Sequence, residues 1–434
     1  MVQRAILQMQ SGSFGFWVGP SPVGNFLRGS PVWVSGLRSA HVHVGSPGYG
    51  GAVDDRDGGG AVPRPRNWRH PSPDRGLARG HGHRPAVSSL PEHDRQANPV
   101  AIVGVGATGT HALRSLLDST SGVVHVHDTN PDAVERAVAL GRSRGTRVVG
   151  HRAATDVVGE ANVLVLATPS GGHGVVAAEA VRHGASVVSL SDSLEDVRDL
   201  FELDGNAIAA GTSIVVGAGM APGLTCVLAR HAADCLDEVV EISVAKAGTG
   251  GPACARQHHR AMKQTAWDWQ DGMWFERRGG SGRDLVWFPP PIGARDSYKA
   301  GLPSPLLLQR TFPNANRISA RVTATRRDRM TSRLPMLRSP HADGGPGAVR
   351  VEVRGRVGGR FETVVYAVAA DPSRGAGVMA SVVASALSTG SLLHNGAMKR
   401  GSFGLSELDD PRALLRDCRG FGLQVMTFDG TSDL

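Results

Sequence analysis

The feature that most limits what this chain can fold into lies between Asn98 and Asp128. A short apolar run, Pro99-Val100-Ala101-Ile102-Val103, leads directly into Gly104-Val-Gly106-Ala-Thr-Gly109. A helical pattern, THALRSLLDS, follows, and then a second apolar run, Val123-Val124-His125-Val126-His127, which ends on Asp128. The order is strand, G-x-G-x-x-G, helix, strand, acid. Each residue type has a task in a dinucleotide-binding turn. Gly104 permits the tight turn, Gly106 lets backbone approach a pyrophosphate, and Gly109 lets helix and strand pack closely. The helix N-terminus, with Ala107 and Thr108, offers unpaired N–H groups and the positive end of the helix dipole to phosphates. Asp128 stands 19 residues after Gly109, where a carboxylate accepts from a ribose 2′-OH. The other reading of Asp128 is a helix N-cap ahead of Pro131.

The alternation continues. Val148-Val149, Asn162–Thr168, Ser186–Leu190 and Ser213–Gly217 read as further strands separated by helical segments. Six such strands predict an α/β fold, a doubly wound parallel Rossmann sheet. Ligands bind beyond the carboxyl ends of these strands. Those ends carry Gly104, Asp128, Ala167-Thr168-Pro169, Ser191-Asp192 and the loop Gly217-Ala-Gly-Met-Ala-Pro222-Gly223. Ala167, Thr168, Pro169, Pro222 and Gly223 are therefore candidate contacts for the nicotinamide end of a dinucleotide.

The combination of GVGATG, VLVLATPSGGHG and GAGMAPGLTCVLARHA resembles the saccharopine dehydrogenase-like oxidoreductases, which include saccharopine reductases and carboxynorspermidine dehydrogenases. The first motif is generic to Rossmann enzymes, whereas Ala-Pro-Gly-Leu-Thr at 221–225 is more specific. The resemblance covers roughly residues 98–434. It implies an NAD(P)-linked reductase that makes or breaks a secondary amine through an imine, and a homodimer. The long stretch before the first strand departs from the family pattern, and the substrate region aligns with no particular member.

After Asp237 the alternation stops. Glu238–Ala245, 317–326, Val349–Gly355 and Phe361–Val368 read as strands, the last two turning at Gly358-Gly359. Trp274-Phe275 and Trp287-Phe288 flank ERRGGSGRDLV, which reads as a hairpin. A second α+β domain on a mostly antiparallel sheet follows, and 376–393 reads as a buried helix packing back on the first domain. Within Pro252–Lys263, helical spacing puts Arg256, His259, Arg260 and Lys263 on one face. Arg256 and Lys263 are candidate clamps for substrate carboxylates. His259 is a candidate proton donor. A solvated basic face is the other reading. Lys246, at a strand end beside Gly248 and Gly250, and Tyr298 in GARDSYKAG are further candidate catalytic groups. No metal site is expected: adjacent His258 and His259 diverge on a helix, and no carboxylate ligand is evident.

Composition bounds the rest. The net charge of +8 spreads unevenly. Residues 1–97 hold eleven Arg, no Lys and six acidic residues, with 16 Gly and 10 Pro. Such a segment buries too little apolar surface to offset its ordering entropy, so it reads as a disordered tail, His81 and His83 included. The remainder holds 36 basic and 33 acidic residues, so no nucleic-acid partner is expected. Apolar runs too short for a helical bilayer span argue against an integral membrane protein. Four scattered cysteines and the absence of a signal-like start predict a cytoplasmic protein. The expected layout is a tail over 1–97, a dinucleotide domain over 98–235, a substrate and dimerisation domain over 236–375, and a C-terminal segment over 376–434. The expected function is an NAD(P)-dependent oxidoreductase on a small amino-acid-like substrate. The alternatives are a reductase of a small carbonyl acid and a non-catalytic dinucleotide sensor. Asp128, with no Arg before Arg136, favours NAD over NADP.

Overall fold

The computed structural model describes residues 68–69, 98–120, 122–336 and 339–428. Most of the expected tail, His81 and His83 included, lies outside the described residues. Trp68–Arg69 is an exception and forms a short strand, β1. The first domain then runs β2 (Val100–Val103), α1 (Ala107–Ser119), β3 (Val124–His127), α2 (Pro131–Ser143), β4 (Val148–His151) and α3 (Ala154–Val158). It continues with β5 (Val163–Leu166), α4 (His173–Arg182), β6 (Ser186–Ser189), α5 (Leu194–Glu202), α6 (Asp204–Ala209), β7 (Ser213–Val215) and α7 (Leu224–Ala233). Strands β2, β3, β5 and β6 are buried at every residue. That suits runs such as VAIV and VLVL, because helices cover both faces of a parallel sheet. Local signals start the helices. Asn130 accepts from the Asp132 N–H with Pro131 in the first turn, and Ser193 accepts from the Glu195 N–H.

The second domain comprises β8 (Glu238–Ala247), α8 (Pro252–Lys263), β9 (Ala266–Gln270), β10 (Met273–Arg277), β11 (Asp284–Trp287), β12 (Ala294–Lys299) and α9 (Ser304–Thr311). Then come β13 (Arg317–Thr323), α10 (Arg326–Thr331), β14 (Ala348–Val357), β15 (Arg360–Ala369) and α11 (Pro372–Ser388). The described residues end with β16 (Leu393–His394), β17 (Ala397–Met398), β18 (Gly401–Phe403), α12 (Pro411–Gly420) and β19 (Val425–Phe428).

The first sheet has seven parallel strands in the order β18-β7-β6-β5-β2-β3-β4. Six are those expected, and β18 from the C-terminal segment adds the seventh. The second sheet has ten strands, with β1-β19-β15-β14-β8-β13-β12-β11 as its spine. All its pairings are antiparallel except β8 with β13. The β14–β15 hairpin turns at Gly358 and Gly359, both at positive φ, as a two-residue primed turn requires. The hairpin read between Trp274-Phe275 and Trp287-Phe288 does not form. β10 folds back on β9 across Asp271-Gly272, both at positive φ, and β11 pairs with β12 around Pro289–Gly293. An Asp-Gly turn dictates the nearer partner.

Alternation along β8 puts Ile242 and Val244 into the main core, and Lys246 follows on the same face. α11 lies against α1 at a close approach. A Cβ on Gly377 would stand 2.6 Å from His111 Cβ and 2.7 Å from the Ala112 nitrogen. Among the described residues, no helix is long and apolar enough to cross a membrane.

Candidate active site

The glycine loop after β2 is built by contacts within the chain. Gly104 sits at φ +95°, and its N–H donates to the His127 carbonyl. A Cβ there would stand 2.8 Å from the Ala167 backbone, and one on Gly109 would stand 1.8 Å from the Gly104 carbonyl oxygen. These two glycines are required by packing. Gly106 differs: a Cβ there would meet nothing within 4 Å. Its bareness leaves open space in front of the first turn of α1, which no side chain caps. That is the arrangement a diphosphate needs at a helix N-terminus.

Asp128 ties this loop to β3. One carboxylate oxygen accepts from the Val105 N–H at 2.8 Å, the other from the Asn130 N–H at 2.9 Å. Asn130, not Asp128, caps α2. Asp128 lines a recess of about 640 Å³ with Gly106, Ala107, Asn130 and Arg136. A second cavity, of about 120 Å³, also reaches the first turn of α1. Thr108, Ala167, Thr168, Pro169 and Pro222 line it from the first domain; Lys246, Gly248, Gly250, Cys254 and Gln257 line it from the second. The two recesses share one helix turn, with Ala107 in one and Thr108 in the other. The glycine loop, the uncapped turn and this pair of recesses fit a dinucleotide. Gly223, at φ +124°, lines neither recess and instead closes its loop. A Cβ there would stand 2.1 Å from the Gly219 carbonyl oxygen.

The chemistry of the smaller cavity centres on a buried ion pair. Lys246 Nζ donates to Asp192 Oδ2 at 3.0 Å. Burial pulls the Lys246 pKa down, but the Asp192 carboxylate and its hydrogen bond, with Cys254 adding, together raise it, and the net shift is upward. Lys246 is therefore charged at neutral pH. Asp192 is held in turn by Ser170 Oγ at 3.3 Å and, at its backbone carbonyl, by Gln257 Nε2 at 3.4 Å. Burial pushes the Cys254 thiol up, with Asp192 adding to the shift, so it stays protonated.

Of the catalytic and substrate-binding candidates, the structure brings only Lys246 to this cavity. Arg256 and Lys263 are exposed and line neither recess. His259 Nε2 lies 2.8 Å from the Leu334 carbonyl, which engages it structurally. The basic stripe of α8 faces away because the small opposite face, Ala253, Cys254 and Gln257, turns to the cavity. Tyr298 is 1% exposed and belongs to the main core, with the Arg329 guanidinium 5.4 Å from its ring centre. The strand period turns Tyr298 inward and its neighbour Lys299 to the other face. There Lys299 pairs with buried Asp268 at 2.7 Å. Asp192 stood at a strand end in the sequence with no partner in view. Only the docking of β8 against that end reveals the pair. Among the described residues, no cluster of three metal-ligating side chains occurs.

No protein-family model and no curated protein matches this sequence. Among solved structures, the chain is similar to apo saccharopine dehydrogenase (L-Glu forming) from Saccharomyces cerevisiae, with a TM-score of 0.55 and 12% identity over 76% of this chain and 100% of that one. It also matches a C. glutamicum DAP dehydrogenase in complex with DAP, with a TM-score of 0.42 and 16% identity over 75% of this chain and 99% of that one. The first likeness shows a shared fold: a parallel dinucleotide-type sheet joined to a second, mixed-sheet domain.

Proposed function

We propose that this protein is an NAD(P)-dependent oxidoreductase that moves hydride to or from the imine or secondary amine of a small amino-acid-like substrate. The observation that carries the proposal is the position of the Lys246–Asp192 pair. It lines a cavity that shares the first turn of α1 with the recess holding Gly106 and Asp128. Gly106, Ala107 and the first turn of α1 would hold the diphosphate, Asp128 the adenosine ribose, and Thr168, Pro169 and Pro222 the nicotinamide end. When bound, the nicotinamide supplies or accepts the hydride. Lys246 holds the proton that the substrate nitrogen or oxygen needs on reduction. Asp192 keeps that lysine charged and aims it. The acid at 128 favours NAD(H), against Arg114 and Arg136, which line the same recess and would suit a 2′-phosphate; titration of NADH against NADPH decides.

A second reading, reduction of a small carbonyl acid, draws on one observation. Among the described residues, Lys246 is the only cation lining the smaller cavity, and it is already paired. A substrate with several carboxylates would leave charges uncompensated there. Exposed Leu285 and Trp287 on β11, the last strand of the mixed sheet's spine, favour a homodimer, which sedimentation checks. Incubating the protein with NADH or NADPH, and either keto acid plus amine pairs or carbonyl acids alone, tests the activity. Loss of nicotinamide absorbance that requires the amine supports the first reading. Loss without it supports the second. Tight binding with no turnover of any pair would make the protein a dinucleotide sensor.

A further inference from the structure

A buried chain of polar groups runs from the cavity wall into the first domain. Thr168 lines the cavity beside Pro169. Its Oγ1 lies 3.1 Å from His173 Nε2, which also lies 3.4 Å from the Thr168 carbonyl oxygen. His173 is fully buried at the start of α4, and its Nδ1 lies 2.9 Å from Ser189 Oγ. Ser189, also fully buried, accepts the Ser191 N–H at 3.3 Å. Asp196, 1% exposed, locks the surroundings. It accepts the Gly171 N–H at 2.8 Å, the His173 N–H at 3.1 Å and the Ser191 hydroxyl at 2.5 Å.

Counting protons selects one tautomer. A neutral imidazole has one N–H and one bare nitrogen. If Nδ1 carried the proton, it would donate to Ser189 Oγ. The Ser189 hydroxyl proton, buried, would then have no acceptor within the chain described above, at the cost that a buried unsatisfied donor carries. If Nε2 carries it, every fully buried group is satisfied. Ser189 donates to the bare Nδ1, and Nε2–H donates to Thr168, whose carbonyl can only accept. Thr168 Oγ1 is then already an acceptor, so its own proton is left for the cavity.

We infer that His173 is a positioning residue that makes the Thr168 hydroxyl a dedicated donor to an acceptor oxygen at the nicotinamide end of the cavity. This rests on the dinucleotide reading, and the test separates the two. Nitrogen NMR of the full-length protein, with the His173 signals assigned by their loss in His173→Gln, reads the tautomer with no nucleotide present. Protonated Nε2 and bare Nδ1 are expected. Protonated Nδ1 overturns the inference. NAD⁺ and ADP-ribose, which lacks the nicotinamide, are then titrated into the wild type and four variants. Thr168→Val should weaken NAD⁺ by about two- to tenfold, the worth of one neutral hydrogen bond, and leave ADP-ribose unchanged. Thr168→Ser should restore NAD⁺ binding. His173→Gln, which keeps a donor near the Nε2 position, should behave like the wild type, and His173→Asn, which lacks it, like Thr168→Val. Equal losses for both ligands, or no loss for NAD⁺ in Thr168→Val, overturn the inference. Failure of ADP-ribose to bind the wild type sinks the dinucleotide reading instead, while the nitrogen signals still decide the tautomer of His173.

Discussion

Lys246 and Asp192 concentrate the chemistry into two side chains, and each makes a separate prediction. Lys246→Met removes the proton donor, so kcat should fall by about 10²–10⁴ while nucleotide affinity stays level; fluorescence titration beside turnover checks the split. Asp192→Asn removes the attraction that raises the lysine and leaves the burial that lowers it. The alkaline limb of the reductive kcat/KM profile should therefore move to lower pH. His258, on α8, adds a pH dependence to stability. Its Nδ1 is buried without a partner, and burial, with Lys246 nearby, pushes its pKa down from 6.5 to about 4. The folded form thus binds fewer protons than the unfolded one between those values. Its contribution to stability is full above pH 6.5, falls as the pH drops toward 4, and then levels off. At pH 4.5 the loss should be roughly 2–3 kcal/mol. His258→Leu should flatten this part of the curve in denaturant melts at pH 7 and 4.5; an unchanged slope would mean that other groups carry it.

At the scale of elements, the strand–loop–helix unit from Val100 to Asp128 was legible because its demands are local. Gly109, which abuts Gly104, and the Asp128 tie to Val105 follow from contacts within about thirty residues of chain, whereas Gly104 is also pinned by Ala167, farther along. The face of α8 was legible as a stripe, but not the direction it faces. Spacing groups Arg256, His259 and Lys263 together, yet only the packing of Ala253, Cys254 and Gln257 on the cavity says that this stripe looks outward. The Trp-Phe pairs misled for a similar reason. Matching composition suggested a hairpin, while the Asp271-Gly272 turn chose the adjacent strand. Two glycine substitutions separate binding from folding. Gly106→Ala puts a methyl group into open space, so it should melt like the wild type and bind nucleotide more weakly. Gly109→Ala drives a methyl group into the Gly104 carbonyl and should lower the melting temperature as well. Arg256→Ala and Lys263→Ala, on an exposed face, should change stability by under ~0.5 kcal/mol and leave kcat/KM intact. A tenfold loss in either would return the carboxylate clamp to α8.

Across the whole molecule, the C-terminal segment knits the two sheets together, which no local pattern announces. β18 pairs with β7 across nearly two hundred residues of chain, and β19 joins β15 in the other sheet. Strands this short carry almost no periodic signal of their own. The N-terminal stretch contributes β1, paired with β19 at Trp68 and Arg69. A chain starting at Gln96 should lose that edge pair, melt within a few degrees of the full protein and bind nucleotide equally well. A large drop would show that the stretch supports the core. The central claim is that one dinucleotide spans both recesses, with its reactive end at Lys246. Hydrogen exchange of the full-length protein with and without saturating NADH tests it most directly. Slowed exchange is expected in 103–110 and 128–130, and together with it in 168–173 and 246–257 across the domain boundary. Protection confined to the first two segments, or none at all, would contradict the account.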